Sequence, residues 1–148
     1  MKILGHPLHT MIIHFPTALL PMDFFLCLIG NYTHQSSFFI AGYYCLIAGT
    51  FFGLLALLTG LLDLVAIPSN NKEASYSAWV HGLINGSMML IFGIIAYKSW
   101  KTYPVMLQPS SFLLWTKGIL VAVLFFGNYL GGRLIYKHHI GIEILRDA

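Results

Sequence analysis

Residues 38–68 read FFIAGYYCLIAGTFFGLLALLTGLLDLVAIP, with one charge, Asp63, near the far end. A span needs ~20 mostly apolar residues to cross a hydrocarbon core of about 30 Å. This stretch is long enough to cross with tilt or protrusion. Lipid offers the backbone no hydrogen bonds, so a segment of this length must be helical. Within it Gly42, Cys45, Gly49, Gly53, Ala56, Gly60 and Asp63 follow steps of three and four. They form one narrow stripe of small residues that ends in a carboxylate. Small-residue stripes usually serve close helix packing. The alternative is that the glycines clear space for a flat ring, and packing alone does not explain the terminal Asp63.

Three similar stretches flank this one, at about 8–29, 78–97 and 112–136. Polar breaks at 31–37, 69–77 and 98–111 separate them. Short loops make successive helices antiparallel neighbours. The expected fold is therefore all-α: a single transmembrane domain over residues 1–148, an up-down-up-down four-helix bundle. Lys2 precedes a first span interrupted by Pro16, Pro21 and Asp23, with no small-x-small cleavage site. That span is expected to stay in the mature protein.

Composition agrees. The chain has 148 residues, 57% hydrophobic and only 9% charged, where a soluble domain carries roughly 25% charged residues. A net charge of +3 leaves no basic footprint for nucleic acid. Cys27 and Cys45 lie in apolar runs and form no Cys-x-x-Cys-His, which excludes covalently attached c-type haem. Seven histidines stand against five carboxylates, an odd excess for a lipid-dissolved chain.

Threading the spans gives those histidines a location. His6, His9 and His14 open the first helix and His81 opens the third. His138 and His139 close the fourth, and Asp63 closes the second. Six of the seven histidines thus gather at one end, with only His34 at the other. Lys2, Lys72, Arg133, Lys137 and Arg146 share that end, against Lys98 and Lys101 opposite, so both termini are expected in the cytoplasm. Tryptophans and tyrosines near the span ends fit an aromatic belt.

Ionisable groups inside spans are costly and usually functional. His14 and His81, on different helices at similar depth, read as a ligand pair, with His9 and His138 as the second choice or a second site. His9 and His14 diverge by about 140° on a regular helix, so sharing one site needs a distortion, which Pro16 can supply. His81, Asn85, Met88 and Phe92 share a face of the third helix. Gly127, Gly131, Leu134 and His138 share one of the fourth. Asp23 and Lys117 fall at similar depth near the opposite end. They form a structural ion pair, or Lys117 snorkels outward.

These motifs carry a resemblance. Gly5-His6-Pro7-Leu8-His9 with His14-Phe15-Pro16, Thr59-Gly60-Leu61-Leu62-Asp63, and Leu130-Gly131-Gly132-Arg133-Leu134-Ile135-Tyr136-Lys137-His138 resemble a bacterial membrane family catalogued as domain of unknown function 2231. The chain departs from the family pattern at Thr10, where proline is usual, and at His139, where glycine is usual. The second departure leaves both His138 and His139 open as the residue used. The resemblance implies a layout similar to small membrane b-type cytochromes and a setting in the bacterial inner membrane beside cytochrome c or Rieske modules.

The leading expectation is an electron-transfer protein that binds haem b non-covalently through two imidazoles. His14 and His81 would be the axial metal ligands. Asp63 and Asn85 would support the imidazoles or meet propionates, where Arg133 and Lys137 supply cations. Electrons would pass to a redox partner or a quinone. A non-haem transition metal ion is the second expectation. A cofactor-free structural or proton-conducting subunit, alone or as a homodimer, is the third.

Overall fold

The computed structural model describes residues 2–3, 6–68, 70–105 and 108–138; of residues 2, 3, 6, 7, 137 and 138 it describes only the backbone. Two residue pairs, β1 (Lys2–Ile3) and β2 (His6–Pro7), form a short antiparallel bridge. The rest is helical: α1 (Leu8–Ile12), α2 (His14–Thr33), α3 (Ser36–Val65), α4 (Lys72–Thr102) and α5 (Ser111–His138). Pro7 belongs to the bridge, and the first helix starts one residue later, at Leu8.

Local chemistry sets the boundaries. Pro16 has no N–H to return to the Ile12 carbonyl, and the first span breaks at Ile13 into α1 and α2. Thr17 bridges the break: its N–H and its hydroxyl both bond the Ile13 carbonyl, at 3.2 and 2.7 Å. α2 ends at His34, in the left-handed region at φ 56°, so α3 begins after a very short turn. α3 stops before Pro68, which disfavours helix in the residue ahead of it. α4 starts well before 78 because the Asn71 side chain caps it, accepting from Ala74 N–H at 3.2 Å.

Four helices are long and apolar enough to cross a membrane, over Leu8–Thr33, Ser36–Val65, Lys72–Thr102 and Ser111–Tyr136. They form the expected four-helix bundle. Each packs on its neighbour in sequence, and α2 packs against α5 to close the ring. Phe51, Leu58, Leu90 and Ile119 are among many large apolar side chains exposed on the outside. That surface suits contact with lipid and not with water.

The α3 stripe is used mainly for packing. A Cβ on Gly42 would meet Asp23 and Cys27, one on Gly49 would meet Leu20 at 2.8 Å, and one on Gly53 would strike Met89. The core these contacts build includes Leu20, Leu46, Phe92, Ile95, Leu120 and Leu124. It fills the half of the bundle nearer the α2–α3 turn.

Candidate functional site

The other half, where α1 and α4 begin and α3 and α5 end, is hollow. A cavity of about 790 Å³ lies there, within the size range of small-molecule and cofactor sites. Its lining is mostly apolar, with His9, His81, Asp63, Asn85 and Asn128 among the polar groups.

The two imidazoles are held alike. His9 Nδ1 lies 2.9 Å from the Ala56 carbonyl oxygen and 3.3 Å from Thr59 Oγ1. His81 Nδ1 lies 2.9 Å from the Gly127 carbonyl oxygen. A carbonyl only accepts, so both rings carry their proton on Nδ1. Each Nε2 is left as a lone-pair donor with no hydrogen-bond partner among the described residues. Asn85 Nδ2 donates to the His81 carbonyl at 2.8 Å and also lies 3.2 Å from His81 Nδ1.

Glycine makes room for both rings. A Cβ on Gly60 would fall 3.0 Å from His9 Cε1, and one on Gly131 would fall 2.8 Å from His81 Cε1. The flat ring that Gly60 accommodates is therefore an imidazole of the chain itself. Each half-site has one pattern: a histidine on the first helix of a hairpin bonds a carbonyl on the second and lies over the glycine four residues on. The sequence separations from histidine to carbonyl are 47 and 46.

The remaining expectations separate. His14 is exposed and lies outside the cavity lining, so the structure does not bring it to His81. The break at Ile13 leaves His9 and His14 on different faces, and His9 takes the inner one. Asp63 is half-buried at the cavity wall, within electrostatic reach of His9. Asn85 is inside. Arg133 is exposed and outside the lining. The side chains of His6, Lys137 and His138, and all of His139, lie outside the described residues. Among the described residues no three His, Cys, Asp or Glu side chains gather to hold a metal ion.

Sequence reasoning missed the Ala56 and Gly127 carbonyls, because backbone acceptors have no residue signature. It missed Thr17 and Asn128 too, which join α2 to α5 along the cavity by a 3.1 Å bond from Asn128 Nδ2 to Thr17 Oγ1. A usable signal was present. The small pair Ala56 and Gly60 recurs as Gly127 and Gly131, and the matching histidines are His9 and His81.

The family described as predicted membrane protein (DUF2231) matches residues 5–143. No curated protein and no solved structure matches the chain.

Proposed function

The chain belongs to the DUF2231 family of membrane proteins, and from that premise and the geometry we propose that it binds haem b between His9 and His81 and carries electrons in the membrane. One observation carries the reading: both imidazoles have Nδ1–H fixed by a helix carbonyl and Nε2 left to ligate. Ligating histidines almost always donate their other ring N–H to such an acceptor, which sets the tautomer and the ring orientation. The residues fit the group, since two imidazoles on facing hairpins, an apolar cavity and two ring-clearing glycines meet its needs.

When bound, haem supplies one-electron exchange at its iron. The chain does the rest. Gly60 and Gly131 let the rings reach their carbonyls. Asn85 braces His81. The apolar walls would limit water around the group, which would tune its potential. A quinone in the lipid, or a cytochrome c or Rieske protein, is the proposed partner, and the bacterial inner membrane with both termini cytoplasmic is the proposed setting.

A non-haem transition metal ion fits less well, because two imidazoles fall short of the three or four ligands such sites use. The test is an absorption spectrum of the detergent-purified protein. A Soret band that sharpens and shifts on dithionite reduction is the expected result, abolished in His9→Ala and in His81→Ala. A colourless wild-type protein, after expression with haem supplied, overturns the reading.

A further inference from the structure

The half-site match extends along the whole bundle, and it shows which buried polar groups the packing does not require. His9 and His81 are 72 positions apart; Ala56 and Gly127, like Gly60 and Gly131, are 71 apart. Carried along the helices, these offsets superpose buried on buried: Leu20 on Phe92, Gly49 on Leu120, Gly53 on Leu124. They also match Asp23 with Ile95 and Lys117 with Leu46. At the α2–α5 interface the positions hold a charged pair. At the equivalent α4–α3 interface they hold two core hydrophobes, Ile95 and Leu46. This fold therefore fills that position with apolar side chains when packing is all that is asked.

The charged pair is fully enclosed. Lys117 Nζ donates to Asp23 Oδ1 at 2.8 Å, with side-chain exposures of 4% and 0%. Lys117 also lies 3.2 Å from Cys27 Sγ, whose thiol points to Asp23 Oδ1 at 3.5 Å. Asp23 Oδ2 is buried and has no hydrogen-bond partner among the described residues. Beside it is a second cavity of about 50 Å³, lined by Cys27, Tyr43, Ser99 and Lys117 among others. A buried carboxylate oxygen without a donor costs about 1–3 kcal/mol or more, and a polar space of this size holds a water.

We infer that Asp23, Lys117, Cys27 and this small cavity form a hydrated proton-exchange site, with water as its ligand, at the end of the bundle opposite the imidazoles. The inference does not depend on what occupies the imidazole cavity. The titratable groups around Asp23 are Cys27 on its own helix, Tyr43 and Cys45 on α3, and Lys117 on α5. From α4 comes Ser99, which does not titrate. With Oδ1 engaged by Lys117, a hydronium reaching the cavity gives its proton to Oδ2 and leaves as water, and the reverse step returns it.

The Cys27 thiol is a built-in reporter. The full-length protein in lipid vesicles, carrying Cys45→Ala so that one thiol remains, is moved from H2O to D2O, and the S–H stretch is followed by infrared spectroscopy. The thiol is expected to exchange readily. In Asp23→Ile/Lys117→Leu, which copies the Ile95–Leu46 pair, the cluster is dry and exchange waits on local opening, so it slows by on the order of tenfold or more. A wild-type thiol that does not exchange, or equal rates in the two proteins, overturns the inference. Failure of the double variant to fold as a monodisperse helical protein also overturns it, because the charges would then be a packing requirement.

Discussion

The two halves of the bundle spend their polar residues in opposite ways. In the half nearer the α2–α3 turn, charge is paired: Lys117 holds Asp23 Oδ1 at 2.8 Å, both side chains buried. Links at that end hold the loops down. Tyr44 and Tyr103 share a 2.7 Å hydroxyl bond, Tyr43 stacks on Tyr103 at 4.8 Å, and Gln108 bonds Asn31. In the other half no ion pair is buried among the described residues. Imidazoles are tied to backbone carbonyls through Nδ1, and Nε2 has no hydrogen-bond partner among the described residues. The same chain carries both, Asp23 and His9 lying about four turns of helix apart on α2 and α1.

Substitutions test this contrast. The largest effect should come from breaking the buried pair on one side: Lys117→Leu leaves the Asp23 carboxylate buried and uncompensated. It is expected to cost about 3–5 kcal/mol, read as lost folded yield and a lower thermal midpoint in detergent. Crowding the imidazole half should cost less. Gly131→Ala drives a methyl against the His81 ring, for roughly 1–3 kcal/mol, and Gly60→Ala does the same to His9 more mildly, since its clearance is wider. With haem bound, Gly131→Ala should also weaken the Soret band; an unchanged band and midpoint would mean the ring is not confined there. Asn85→Ala removes a brace and no ligand, so a loss of about 1 kcal/mol is expected, with haem retained and its midpoint potential shifted. His14→Ala is the smallest, within ~0.5 kcal/mol and with an unaltered spectrum. Haem loss in that variant would return His14 to the site and undo the assignment of His9.

The sequence made the spans, their order and the clustering of imidazoles at one end legible, because hydropathy and helix rise are properties of whole segments. It also put Asp23 and Lys117 at one depth, and they meet. The choice between His9 and His14 was not legible. It turns on the phase of five residues before Pro16, and the break at Ile13 leaves α1 presenting His9. Nor did the α3 stripe announce that Gly60 serves a ring while Gly42, Gly49 and Gly53 serve packing. Spacing is the same in both cases, and only the partner helix tells them apart.

His9 is anchored to α3 and His81 to α5, each within its own hairpin, and among the described residues no bond of either ring crosses between hairpins. The two hairpins are thus a pair of jaws with one tooth apiece. Small shifts of one jaw against the other change the gap between the teeth but leave the proton on each ring and its tilt unchanged, so grip can be adjusted without redesigning either tooth.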